Sequence, residues 1–142
     1  MLIHWEHEEE EEEEEEWDPG TILGSIDLQG DVSGRIQDDC LILDTWFASL
    51  GRGLLEIRSG KQSAFIDTID EPHEIYLSTD GGGLTIGWID EHLEVSSLDT
   101  ACTSVAAQLS ALADDLATRP PPQDEPSISE LRQLANKLSG GP

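Results

Sequence analysis

The chain has 142 residues, with 31 Asp and Glu against 7 Lys and Arg, a formal charge of −24, and 37% hydrophobic and 5% aromatic content. That composition supports one modest core in one domain and excludes a large multidomain enzyme. The charge opposes direct binding to nucleic acid or to an anionic membrane, because either would repel the chain instead of releasing counterions. The partners it favours are basic.

Residues 1–18 carry eleven acids (Glu6, the unbroken run Glu8 to Glu16, and Asp18) and no Lys or Arg. Nine successive glutamates repel one another and offer no apolar face. Residues 1–18 are therefore expected to be a disordered acidic segment, in which only Leu2, Ile3 and Trp5 suggest a short strand, and Trp5 or Trp17 could pin the run to the folded body. The remainder still holds 20 acids against 7 bases, a charge of −13. After the turn signal Asp18-Pro19-Gly20, the spacing of Ile22, Ile26 and Leu28 predicts a strand, and Gly30 and Gly34 punctuate a loop. From Asp38 or Asp39 the period changes. Leu43, Trp46, Phe47, Leu50, Leu54 and Ile57 fall at steps of three and four, which predicts a helix with Asp38 and Asp39 as its N-cap and first-turn acids. Gly51 and Gly53 weaken its last turn.

Four short strands follow, over 63–69, 74–79, 84–89 and 93–96, with alternation clearest at Leu84, Ile86 and Trp88. Asp80-Gly81-Gly82-Gly83 suits a hairpin loop better than a phosphate cradle, since no Lys-Ser or Lys-Thr follows and the next element is a strand. Ser96 or Ser97 caps a second long helix whose stripe is Leu98, Ala101, Val105, Leu109, Leu112 and Leu116. Pro120-Pro121-Pro122 and Pro126 make 119–126 a stiff spacer. Ser127 and Glu130 form a capping box for a helix over 127–139, with an apolar stripe of Ile128, Leu131, Leu134 and Leu138. So short a helix is not stable alone in water. It must dock on its own domain, on a second copy through self-association, or on a partner. The expected architecture is α+β: a mainly antiparallel sheet in the order strand, helix, four-strand meander, helix, with the helices on one face, a domain over 19–118 and a proline-linked tail helix.

The candidate chemistry is sparse. His4, Glu6 and His7 could offer ligands to a metal, but nothing nearby would orient the rings, so no specific metal or cofactor is expected. His73 and His92 lie near Asp70, Glu71, Glu74, Glu91 and Glu94, yet no nucleophile is marked beside them and no catalytic residue is expected. Cys40 and Cys102 lack CxxC spacing and read as buried thiols of a reduced compartment. No segment approaches the roughly 18 apolar residues of a membrane span, and the N-terminus is acidic where a signal peptide is basic, so the expected address is cytoplasmic.

The acidity itself is the remaining signal. Asp38, Asp39, Asp70, Glu71, Glu74, Asp90, Glu91 and Glu94 are expected as exposed acids able to meet a basic surface. The glutamate run, through residues such as Glu8, Glu12 and Glu16, acts as an auxiliary attractor. Trp46 and Trp88 read as core residues. Residues 21–116 resemble the small acidic immunity proteins of bacterial polymorphic and contact-dependent toxin systems. The resemblance lies in the first strand, the run Leu43-Asp44-Thr45-Trp46-Phe47-Ala48-Ser49-Leu50, the segment Glu71-Pro72-His73-Glu74-Ile75-Tyr76-Leu77, and the helix from Leu98. It implies a non-enzymatic inhibitor that occludes a cationic toxin or nucleic-acid-handling effector. The glutamate run and the tail helix depart from that pattern. Two alternatives stand beside it. One is nucleic-acid mimicry of the phage anti-restriction or anti-CRISPR kind, since extended glutamates place a charge every ~3.3 Å against ~3.4 Å along a DNA strand. The other is a small assembly adaptor acting through the tail helix.

Overall fold

The computed structural model describes residues 1–7, 23–68, 73–80, 83–118 and 125–139. Seven strands and three helices follow one another there: β1 Leu2–His7, β2 Leu23–Gln29, β3 Ser33–Ile42, α1 Leu43–Arg58, β4 Ser63–Asp67, β5 Glu74–Asp80, β6 Gly83–Trp88, β7 Glu91–Val95, α2 Leu98–Ala117 and α3 Glu125–Leu138. The strands form one sheet in the order β1-β2-β3-β7-β6-β5-β4. Every neighbouring pair is antiparallel. The fold is α+β, and the four-strand meander is present as β4 to β7.

Alternation decides which face the helices cover. Ile26, Leu28, Ile36, Ile75, Leu77, Leu84, Ile86, Trp88, Leu93 and Val95 are buried, whereas residues between them, such as Asp27, Gln37, Tyr76, Thr85 and His92, lie on the opposite, open face. On the covered side α1 buries Trp46, Phe47, Leu50, Leu54 and Ile57. The Trp46 ring stands edge-on to Phe47 at 5.2 Å and to Trp88 at 5.7 Å, so both tryptophans are core residues as expected. Gly53 does not end α1, which runs on to Arg58. A Cβ there would lie 2.5 Å from Leu77 Cδ1, so the missing side chain lets the helix settle onto β5.

Ser97 caps α2 by accepting from the Thr100 amide at 3.1 Å, as its sequence predicts. The tail helix docks on its own domain. Ile128, Leu131, Leu134, Ala135 and Leu138 are buried in the common core, and α3 packs against α1 and α2. Burial of each large side chain contributes about 1.5–3 kcal/mol, which supplies what an isolated helix lacks. Arg58 closes the C-terminal end of α3 by donating to the carbonyls of Lys137 at 2.6 Å and Leu138 at 2.7 Å. Arg52 pairs with Glu130 and Arg132 with Asp114. The apolar stripe of α3 is thus consumed within the chain, so self-association through it would require undocking.

Three expectations need correction. Residues 2–7 of the segment read as disordered form edge strand β1, paired with β2 from Leu2↔Gln29 to His7↔Gly24. Trp5 holds the strand by donating to Gln108 Oε1 at 2.8 Å, and Ser104 donates to the Met1 carbonyl. The glutamate run and Trp17 lie outside the described residues. Secondly, Asp38 and Asp39 do not cap α1. They belong to β3, which also absorbs Gly34, and the helix starts at Leu43 after an extended Ile42 with no side-chain cap bond. Thirdly, α3 begins at Glu125, so the end of the 119–126 spacer is helical and Pro126 sits in the first turn, where its missing amide costs nothing. The rest of that spacer lies outside the described residues.

Candidate functional site

Antiparallel order fixes which strand ends share an edge of the sheet. His7 lies opposite Gly24, Leu23 opposite Ile42, Trp88 opposite both Glu91 and Ile75, and Glu74 opposite Asp67. β1, β3, β4 and β6 therefore finish, and β2, β5 and β7 start, at the same end. That end collects Glu6, Asp38, Asp39, Asp67, Glu74, Asp90 and Glu91, all exposed except the half-buried Asp38. The glutamate run starts immediately after His7, the last residue of β1.

Two backbone irregularities shape this end. Between Gly24↔Leu41 and Ile26↔Asp38 the register shifts by one, so Asp39 and Cys40 together oppose Ser25. This bulge re-aims the side chains around it, and beside it lies an open concavity of about 550 Å³ lined by His4, Glu6, Ser25, Ile26, Asp27, Gln37, Asp38 and Asp39. The second irregularity is a seam. β3 and β7 pair only at Ser33↔Glu94 and Gly34↔Leu93, and then part. Side chains bridge the gap: Glu91 Oε1 accepts the Gln37 amide at 2.7 Å, and Asp38 Oδ2 accepts the Trp88 indole N–H at 2.8 Å. At the opposite end of β7, Asp31 clamps the seam by accepting the Ser96 amide at 2.9 Å and the Ser96 hydroxyl.

The structure brings together five of the predicted site residues. Asp38, Asp39, Glu74, Asp90 and Glu91 share the acidic end, although Asp38 and Glu91 already serve the seam. Glu94 stands apart, about 10 Å further along β7 beside Ser33. Asp70 and Glu71, like Glu8, Glu12 and Glu16, lie outside the described residues. Sequence reasoning missed Glu6 and Asp67 as members of the acidic end, and Asp27 in the concavity beside the bulge. It also missed Phe65 and Tyr76 on the open face, although the alternation of Ala64 with Ile66 and of Ile75 with Leu77 marks both as outward-facing.

The electrostatics follow from these contacts. Arg35 binds Asp27 with both Nε and Nη2, at 2.9 and 2.7 Å, and these hydrogen bonds hold the Asp27 carboxyl below the usual range. Hydrogen bonds from Ser96 do the same for Asp31. Glu74 moves the other way: its hydrogen bond to Asp67, then desolvation, then the Asp67 charge push its carboxyl up. Burial raises the Cys102 thiol, in keeping with an inert core cysteine. His4 contacts Glu6 at 3.0 Å, but among the described residues no three ligating side chains converge on a metal position. The His73 ring stands edge-on to Trp88 at 5.9 Å, and His92 is exposed on the open face. Among the described residues no helix is long and apolar enough to cross a membrane.

This arrangement can attract and hold a cationic surface through several carboxylates presented together. No family model matches the chain, and neither a curated protein nor a solved structure matches it.

Proposed function

We propose that the chain is a non-enzymatic acidic binding protein that neutralises a basic protein partner, as an immunity protein neutralises a toxin. The observation that carries this reading is that seven acids, distributed across the strands, lie at one end of the sheet, the end at which β1 leads in sequence into the glutamate run. Acids scattered over a surface mainly keep a protein soluble. Acids gathered on one rigid edge instead produce a directional field, which accelerates encounter with a basic surface and excludes acidic competitors. The nine glutamates of the run add their charge to that field, while the strand ends supply carboxylates for the docked complex.

The test is co-expression with the product of the neighbouring gene, followed by binding measurements on the purified pair between about 0.05 and 0.5 M salt. Rescue of growth and a steep loss of affinity with salt are expected. Replacing Glu8 to Glu16 by an equal length of Gly-Ser should slow association while leaving dissociation nearly unchanged, because β1 and its Trp5 anchor stay in place. Near-total loss of inhibition from that replacement would favour mimicry of a nucleic-acid strand by the run. A tight complex indifferent to salt, or turnover of a substrate by the purified chain, would sink the proposal.

A further inference from the structure

The open face of the sheet carries an apolar feature that the acidic end does not explain. Phe65 in β4 is 63% exposed and stands directly opposite Tyr76 in β5, their ring centroids 4.9 Å apart and tilted by 43°. On the next strand Tyr76 faces Gly87, whose lack of a side chain leaves the Tyr76 ring beside bare backbone. One step along the same face Asp67 lies opposite Glu74. The hydrogen bond between them pushes the Glu74 carboxyl up. Five of the six described Lys and Arg side chains are occupied elsewhere, Arg35 by Asp27, Arg52 by Glu130, Arg58 by the end of α3, Lys61 by Glu56 and Arg132 by Asp114, and the sixth, Lys137, lies in the last turn of α3.

We propose that this β4–β5 ribbon reads arginine: a guanidinium of the basic partner lies across the Phe65 and Tyr76 rings and donates to the Asp67 and Glu74 carboxylates. The inference rests on the function proposed above and names the contact that would give it specificity. Charge complementarity selects the occupant. A second copy of a chain with charge −24 is repelled from a carboxylate pair, whereas a cation is attracted to it. Ring faces beside paired carboxylates suit a planar, weakly hydrated, multiply donating group. An ammonium can meet the charge but cannot stack and fork at once. The aromatic pair, Phe65 exposed and Tyr76 half-buried, then acts as the desolvated anchor, with long-range attraction left to the glutamates.

The experiment titrates the full chain with N-acetyl-arginine methylamide, and separately with the lysine counterpart, following backbone amide signals by NMR. Saturable shifts centred on Phe65, Asp67, Glu74 and Tyr76 are expected, with roughly fivefold tighter binding of the arginine compound. Phe65→Leu, which keeps an apolar side chain on the exposed face, should reduce arginine to the lysine level, and Glu74→Gln should weaken both. Equal shifts for the two compounds, or shifts confined to the glutamate run, would overturn the arginine site. Salt-dependent capture of a basic partner would survive that result, so failure here is distinguishable from failure of the parent reading.

Discussion

Trp88 donates its indole N–H to Asp38 Oδ2 at 2.8 Å across the gap where β3 and β7 part. The tryptophan is buried and the aspartate half-buried, so this bond ties the two halves of the sheet together beneath the acidic surface. Asp38→Ala removes the acceptor and leaves a buried donor unpaired, which is expected to cost about 1–3 kcal/mol. Asp38→Asn keeps an oxygen in place and should cost far less. Urea denaturation of both variants checks the difference. Equal losses would mean that the charge of Asp38, not its acceptor oxygen, stabilises the seam.

Gly34 holds the other side of the same seam. Its φ is +86°, and a Cβ there would lie 2.4 Å from the His92 carbonyl oxygen. Gly34→Ala is expected to cost about 1–3 kcal/mol from backbone conformation alone, with the clash added to it. Gly60 is a natural control, since its φ is also positive, at +121°, while nothing lies within 4 Å of a Cβ. Thermal unfolding should therefore show Gly34→Ala losing more than Gly60→Ala. The opposite ranking would mean that β3 and β7 move apart without cost.

Where the hydrophobic period was clean, the sequence was a sufficient guide. Alternation over Leu84, Ile86 and Trp88 and the three-four spacing from Leu98 to Leu116 correspond to β6 and α2 as observed. Asp38 and Asp39 misled because acids before an apolar helix stripe also describe a bulged strand, and the extra residue at the bulge erases the period-two signal between Ile36 and Leu41. β1 was obscured by the charge run beside it, since its stability comes from pairing with β2 and from Gln108, a hundred residues away. The acidic end was legible as a composition but not as a place. Which carboxylates meet depends on strand order and register, and neither is written in local spacing.

The acid side of the stability profile should show Asp31. Its carboxyl is depressed in the folded chain by the Ser96 hydrogen bonds, so the stabilisation it provides is fully present above the ordinary carboxylate pKa of about 3.9 and is lost as pH falls through the lower folded value. Asp31→Asn should therefore be less stable than the native chain at neutral pH, and the gap should close in strong acid. Thermal midpoints over a pH series measure it. A gap unchanged with pH would show that the Asn side chain reproduces the clamp and that charge plays no part.

Glu74 carries the opposite sign. Its carboxyl is raised in the folded chain, so at neutral pH its ionised form opposes folding, and that penalty is relieved as pH falls through the raised value. Glu74→Gln should remove the penalty, making the variant at least as stable as the native chain at neutral pH and erasing the gain on mild acidification. The same substitution weakens binding if the β4–β5 ribbon meets the partner. A variant both more stable and less able to bind would identify Glu74 as a residue placed for contact at the expense of the fold.

The docking of α3 leads to a prediction about assembly as well as stability. Leu131 is buried at 3% exposure and lies within the core shared with α1 and α2, so Leu131→Ala should cost about 2–5 kcal/mol. Arg58→Ala should cost about 1 kcal/mol through its lost bonds to the carbonyls of Lys137 and Leu138. Because these contacts are made within one chain, the urea midpoints of the native protein and of both variants should not change with protein concentration. A midpoint that rises with concentration would show instead that association of copies supplies part of the stability. If that dependence vanished in Leu131→Ala, the apolar stripe of α3 would be the seam between copies, and its intramolecular docking would be the state that association displaces.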